Sequence, residues 1–384
     1  MKRPMLLAAA VLACVGAAAA QDQPYEINAI LPLTGPVAFL GKGEASALEV
    51  VQDLVNKHGG IRGRPVKFTV LDDQSSPQVA VQLTNGLVAK GVPAIIGSTL
   101  AAICNAQMPL VKDGPVVFCL SPVINPPAGT YVFTSGNTTE DLVGASVRFL
   151  RGHGWHKVAL ITSNDATGAD LDATIDRVMA LPENKDMSLV AREHFNLADL
   201  SVAAQMAHVK TSGAQALIAW STGGEGTLLH GQVDAGIELP TVISPAHLTY
   251  AEMKQFAAFL PKEAYFPGTA SYAPESIPNG ALKRAVNEYL DAFHAHGIQP
   301  DQSYLFTWNP ALLVIEALRT YGVGATPAQI RSYIAAYKGA GTLGIYDFPA
   351  IPQRGLNGRS VIIVRWDAAK GTWVGASRFG GDVR

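Results

Sequence analysis

Charge is sparse: Asp, Glu, Lys and Arg make up 16% of the 384 residues, and 29 basic side chains nearly cancel 31 acidic ones. That balance gives no electrostatic footprint for a phosphate backbone, so nucleic acid is not an expected partner. There are three cysteines and no C-x-x-C pair, which excludes a zinc knuckle and a disulfide-rich scaffold. No G-x-G-x-x-G follows the first strand-like run, and G-x-S-x-G and H-E-x-x-H are absent. Gly35 to Gly43 misses a phosphate loop, because Gly43 stands where a Ser or Thr would meet magnesium. The histidine pairs His153/His156 and His294/His296 have no supporting Cys, Asp or Glu at ligand spacing. Neither a metal nor a cofactor is expected, and no enzyme. Asp72-Asp73 suits acid–base work on composition, but after a strand such a pair more often caps the next helix.

What is present is apolar. A hydrophobic share of 48% supports a large core, and the length suggests about two domains. Residues 1–20 have the pattern of an export signal: Lys2 and Arg3, an apolar Met5 to Gly16, then Ala18-Ala19-Ala20 before Gln21. Cleavage there leaves a chain starting at Gln21. The alternative is a lipoprotein site at Cys14, for which Leu12 is the misfit. No later stretch reads as membrane-spanning.

Strand-like runs then alternate with amphipathic helical stretches. Tyr25 to Leu31, Val66 to Leu71, Ala94 to Ile96 and Val116 to Cys119 read as strands, with helices at Glu44 to Lys57, Pro77 to Ala89 and Ala101 to Val111. From Thr139 the same grammar repeats, with strands at Val158 to Thr162, Leu189 to Glu193 and Ala216 to Trp220 between helices at Glu140 to Gly152, Leu171 to Leu181 and Val202 to Thr211. Later helices are expected at Leu282 to His296 and Ala311 to Tyr321, and a late strand at Arg359 to Trp366. Runs that are apolar throughout fit parallel sheets covered on both faces. The fold class is α/β, with two doubly wound lobes and crossings near Thr134 and Ala270.

Residues 27–97 carry Leu33-Thr34-Gly35-Pro36, Gly59-Gly60-Ile61-Arg62-Gly63, Asp72-Asp73 and Ile95-Ile96-Gly97. With these spacings the chain resembles the periplasmic substrate-binding proteins of branched-chain amino-acid ABC transporters, the Leu/Ile/Val-binding family. The likeness continues through Pro115 to Pro122, Ser163-Asn164-Asp165 with Gly168, and Gln232 to Gly236. The resemblance implies the type I periplasmic binding protein fold: lobe I from 21–135 plus 270–340, lobe II from 136–269 plus 341–384, and a third crossing near Gly341 to Gly344. It also implies a ligand held by hinge closure in the cleft, delivery to transporter membrane subunits, a periplasmic location and a monomer. A sensor lobe serving a membrane receptor is the alternative. An enzyme on this scaffold would have only Asp165 with His247 as an acid–base pair.

Ligands of open parallel sheets sit beyond the carboxyl ends of the strands. In lobe I the candidates are Ser98 and Thr99, which either cap a helix or meet a ligand carboxylate, and Ser121 in a Ser-Pro turn. The family commonly has a binding Ser or Thr where Ala101 stands, which leaves Ala101 its backbone N–H. Phe39 and Leu40 fit a position that covers the ligand, or ordinary core. In lobe II the candidates are Asp165, Thr167, Trp220, Ser221 and His247. In the family it resembles, members that hold α-amino acids often carry an aromatic residue where Thr167 stands and an acidic one where Ala246 or His247 stands. Both are missing, and a buried ammonium without a carboxylate is costly. The expected ligand is therefore a small carboxylate, with His247 and hydroxyls as its partners and Trp220 stacking on an aromatic body or lying in the core. A branched-chain amino acid is the alternative. Cys104 and Cys119 lie where a disulfide can form, two buried thiols being the other reading.

Overall fold

The computed structural model describes residues 23–384, so the expected export signal and Cys14 lie outside the described residues. The chain forms two compact units, one from the residues up to Thr134 with Phe306–Ala336, the other from Ser135–Leu305 with Tyr337–Arg384.

The first unit comprises β1 (Tyr25–Leu31), α1 (Ala38–Lys57), β2 (Val66–Asp72), α2 (Pro77–Ala89), β3 (Ala94–Ile96), α3 (Ala101–Gln107), β4 (Val116–Cys119) and β5 (Val132–Thr134). Its five strands lie in the order β2-β1-β3-β4-β5, and every pair is parallel. Helix α1 starts six residues before the expected Glu44, because Ala38 to Gly43 carry no apolar stripe by which sequence reading would include them. Helix α2 begins where its sequence says, with Pro77 in the first turn and the Ser76 hydroxyl accepting from the Val79 N–H.

In the second unit α4 (Thr139–Gly152) starts with a capping box between Thr138 and Asp141. Then follow β6 (Lys157–Ser163), α5 (Ala166–Met179), β7 (Ser188–Phe195), α6 (Ala203–Thr211), β8 (Ala216–Trp220), α7 (Glu225–Asp234), β9 (Thr241–Ile243), α8 (Tyr250–Phe256), β10 (Ala264–Thr269) and α9 (Ala281–Ala295). Helix α10 (Gln302–Tyr321) carries the chain back after Leu305, and α11 (Pro327–Ala336) completes the first unit. The hairpin β11 (Lys338–Gly341) and β12 (Gly344–Asp347), then β13 (Val361–Asp367) and β14 (Thr372–Gly375), belong to the second unit. Its seven-stranded sheet runs β14-β13-β10-β9-β8-β6-β7, parallel from β10 to β7 and antiparallel at β13 and β14.

Alternate residues of β6 feed opposite cores: Val158 and Leu160 pack in one cluster, Ala159 and Ile161 in the other. Successive strand side chains point to opposite faces, so a strand apolar at every position needs cover on both.

The return placed near Ala270 occurs after Leu305 instead. The reason is apolar burial: Val286 of α9 packs against Ala270 and Ile277, which ties residues 270–305 to the second unit. The chain leading up to the crossing expected near Ala270 forms β10, a strand between β9 and β13.

Candidate functional site

Each sheet has one place where consecutive connections leave in opposite directions. In the first unit it lies between β1 and β3, and in the second between β6 and β8. Loops at the carboxyl ends of such strand pairs form the crevice that takes ligands in doubly wound sheets. The four loops are residues 32–37, 97–100, 164–165 and 221–224. They contain or adjoin Phe39, Leu40, Ser98, Thr99, Ala101, Asp165, Thr167, Trp220 and Ser221, whereas Ser121 and His247 follow the next strands over, β4 and β9.

A shared close approach sets α1 on the end of β1 and α5 on the end of β6. A Cβ at Gly41 would stand 2.1 Å from the Pro32 carbonyl oxygen, and one at Gly168 would stand 1.7 Å from that of Ser163. Both glycines are required by contact with backbone rather than by a special φ.

In the first unit Asp72 clamps the loop after β1. Its Oδ1 accepts from the N–H groups of Leu33 (2.9 Å), Thr34 (3.2 Å) and Gln74 (2.8 Å), and its Oδ2 from the Thr34 hydroxyl (2.7 Å). Desolvation pushes this carboxyl up, but those bonds together draw it below its ordinary value. Next to it Asp73 is fully buried, and burial raises it despite bonds from Ser98 and Ser75. Glu44, on the buried face of α1, is 1% exposed. Desolvation raises it to about 8, with the Asp73 charge adding to the rise and the Thr99 hydroxyl opposing it.

The Thr99 hydroxyl lies 2.5 Å from Glu44 Oε1 and Oε2, so it is turned into the unit. Ser98 is buried, and its Oγ accepts from the Leu100 N–H at 3.5 Å. Neither hydroxyl caps α3, whose N-cap is Leu100 with no side-chain bond. Ala101 is half-buried at the first position of that helix, and the Cys104–Cys119 disulfide joins α3 to the end of β4 with Cα atoms 6.0 Å apart. Ser121 is buried, and its carbonyl accepts from the Thr134 hydroxyl at 2.7 Å, a link that suits a structural turn. Phe39 is 46% exposed and Leu40 half-buried, so Phe39 is not core.

In the second unit Asp165 is the N-cap of α5: its Oδ1 accepts from the N–H groups of Thr167 (3.0 Å) and Gly168 (3.1 Å) and from the Ser163 hydroxyl (2.8 Å). Thr167 is half-buried in the first turn. Trp220 is 4% exposed and packs with Leu160, Ile218 and Val242, so its ring belongs to the core and is not available for stacking. The Ser221 hydroxyl donates to Glu225 Oε2 at 3.0 Å.

His247 differs most from expectation. Its ring is 2% exposed, with Nδ1 2.9 Å from Glu252 Oε1, and with Nε2 3.1 Å from the Ser221 carbonyl and 3.4 Å from Glu225 Oε2. An imidazole flanked by two carboxylates has no edge left for a ligand carboxylate, and it does not pair with Asp165. Desolvation lowers it, but the Glu252 bond and the charges of Glu225 and Glu252 carry it above its ordinary value. Glu225 is buried to the same degree as Glu44, and desolvation raises it to about 7 against the pull of His247 and Ser221.

Glu44, Glu225 and Glu252 were not among the residues singled out by sequence, although each leaves a trace there. Glu44 stands in a helical stripe with Ala47, Leu48 and Val51, and Glu225 in one with Leu228, Leu229 and Gln232, all of them buried. Thr249-Tyr250-Ala251-Glu252 has the spacing of a helix start, and the Thr249 hydroxyl does bond the Glu252 N–H at 3.2 Å and its carboxylate at 2.9 Å.

The mixed α/β architecture agrees with what known proteins show. Residues 24–372 match the family model described as periplasmic binding protein. A Leu/Ile/Val-binding protein homolog 3 from Brucella melitensis is 26% identical over 245 residues, 62% of this chain and 66% of the relative, so the match spans just under two thirds of that protein's length. Among solved structures, an extracellular ligand-binding receptor from Rhodopseudomonas palustris superimposes with a TM-score of 0.79 at 20% identity, covering 92% of this chain and 100% of the other. A solute-binding protein of an ABC transporter from R. palustris, in complex with benzoate, gives a TM-score of 0.72 at 18% identity over 94% and 98% of the two chains. At those identities the structures speak for the fold, which is that of type I periplasmic binding proteins. Given the family model's reach across nearly all the described residues, the chain belongs to the periplasmic binding protein family.

Proposed function

We propose that this protein is an extracytoplasmic solute-binding protein, acting as a monomer, that captures a small organic acid and hands it to the membrane subunits of an ABC transporter. The observation behind the ligand class is the engagement of the carboxylates near the crevice loops of the second unit. Asp165 caps α5, Glu252 holds His247 and Thr249, and Glu225 is sealed beside His247 and Ser221. An ammonium buried there would lack an anionic partner, at a cost of several kcal/mol. A carboxylate needs only donors, which backbone N–H groups such as that of Ala101 supply, and Phe39 offers an exposed ring to an apolar or aromatic body. Binding of benzoate by a relative of the same fold supports the class. The name of the Brucella relative favours a second reading, a branched-chain amino acid.

A thermal-shift panel on the chain from Gln21 to Arg384 separates the two. A ligand at 100 times its Kd adds about 2.7 kcal/mol, enough to raise the midpoint by a few degrees. Benzoate and aliphatic carboxylates are expected to shift it and leucine, isoleucine and valine are not. Shifts with the amino acids alone would overturn the organic-acid assignment.

A further inference from the structure

His247 joins the crevice loop after β8 to the turn after β9 in a way that its doubly protonated ring satisfies best. Its Nδ1 faces the Glu252 carboxylate and its Nε2 faces the Ser221 carbonyl, both of which are acceptors. A neutral imidazole carries one N–H, so one ring nitrogen would then present a lone pair to an acceptor inside the protein. A buried acceptor left without a donor costs about 1–3 kcal/mol. The imidazolium donates from both nitrogens, and Glu225 Oε2 beside Nε2 gives it a second anion once that buried acid ionises.

We propose that His247 is a positioning residue: as a buried imidazolium it fixes the loop after β8 to the turn after β9, so the ligand-facing edge of the second unit stays set only while the ring holds both protons. The proposal deepens the solute-binding reading and rests on it for the words ligand-facing. The groups around the ring come from several elements: Ser221 from the loop after β8, Glu225 from α7 and Glu252 from α8. Beyond Glu252 stands Asp301, which accepts from the Tyr250 N–H at 3.2 Å, and the Tyr272 hydroxyl donates to the Leu248 carbonyl at 3.4 Å. Besides burial, the groups acting on His247 are Glu252, Glu225 and the Ser221 carbonyl, each an acceptor that favours the charged ring. Loss of the ring proton as pH rises removes one donor from the junction and leaves Glu225 and Glu252 facing each other across a neutral ring.

Nitrogen-15 NMR of the His247 ring and hydrogen exchange of the amides of 221–224, 244 and 246–248, both followed from pH 6 to 9 without ligand, test this directly. Both ring nitrogens are expected to be protonated at pH 6, and exchange of the amides, corrected for the hydroxide catalysis of exchange itself, to accelerate at least about tenfold once the ring is neutral. In Glu252→Gln that acceleration should move to lower pH, a shift that mere space-filling by the ring would not produce. His247→Gln should exchange fast at every pH. A ring protonated on one nitrogen at pH 6, or corrected loop exchange that ignores both pH and Glu252→Gln, overturns the proposal even if His247→Gln fails to fold. Calorimetry with benzoate at pH 6 and 9 is a separate arm: absence of binding at both pH values would count against the organic-acid reading, while the NMR and exchange results still decide the role of His247.

Discussion

The two units solve one problem with different chemistry. Each buries a glutamate in the helix that leaves a crevice loop, Glu44 in α1 and Glu225 in α7, and each glutamate is 1% exposed. Equal burial would predict equal shifts, yet Glu44 rises to about 8 and Glu225 to about 7. The neighbours make the difference. Glu44 has a hydroxyl and a second carboxyl, Thr99 and Asp73, whereas Glu225 has an imidazole that favours its charged form. At neutral pH the first unit therefore holds a neutral carboxyl at its crevice loop, and the second an acid poised to ionise beside the His247 ring.

Replacing each acid by its neutral isostere should separate the two cases. A carboxyl with a raised folded value keeps its proton on folding, so its stabilising contribution is complete below about 4.5 and is lost as pH climbs through the folded value. For Glu44 the span from 4.5 to about 8 corresponds to at most about 5 kcal/mol lost on the alkaline side, and for Glu225 the span to about 7 corresponds to about 3. Urea unfolding at pH 5 and pH 9 should show Glu44→Gln flattening most of the pH dependence and Glu225→Gln a smaller part. Equal flattening by both would mean that His247 does not moderate its neighbour. His247 acts in the same direction, since its raised value makes its contribution complete below about 6.5 and lost above the folded value.

The disulfide is a second asymmetry. Cys104 and Cys119 staple the first unit across a separation of 15 residues, and the second unit contains no cysteine. A closed loop of that length contributes about 3 kcal/mol, largely by restricting the unfolded chain. The double variant Cys104→Ala/Cys119→Ala should lose about that much in urea unfolding, together with amide protection in 97–104 but not in 221–224. Loosening of both loops would show that the staple acts beyond its own unit.

The sequence made the sheets easy to read and the side-chain directions hard. Runs such as Ala216 to Trp220 are apolar throughout because both faces are covered, and their bounds match the structure. Helix α7 was missed because Glu225 and Gln232 interrupt its buried stripe, and β5 because Val132–Thr134 is too short to stand out from a connecting segment. The loops after β1, β3, β6 and β8 are legible in the sequence because they follow strand ends. Which way their side chains turn depends on partners far along the chain: Thr99 meets Glu44 across 55 positions and His247 meets Ser221 across 26. Such pairings come from packing and leave no local pattern. Hence His247 reads from sequence as a carboxylate's partner, and in the structure it already has two.

The smallest effect on stability is expected where the effect on binding should be clear. Of the two aromatic residues named for ligand contact, Trp220 of the second unit is core, whereas Phe39 of the first leaves 46% of its surface open beside the loop after β1. A side chain so exposed contributes little to folding, so Phe39→Ala should change the unfolding free energy by no more than about 0.5–1 kcal/mol. If the ring covers a bound acid, its loss should weaken binding about tenfold, which is about 1.4 kcal/mol. Calorimetry with the acid that gives the largest thermal shift, run alongside urea unfolding, reads both quantities on one preparation. Weaker binding with unchanged stability would place the apolar part of ligand recognition on the first unit. Unchanged affinity would remove Phe39 from the site and leave the contribution of that unit to its backbone donors.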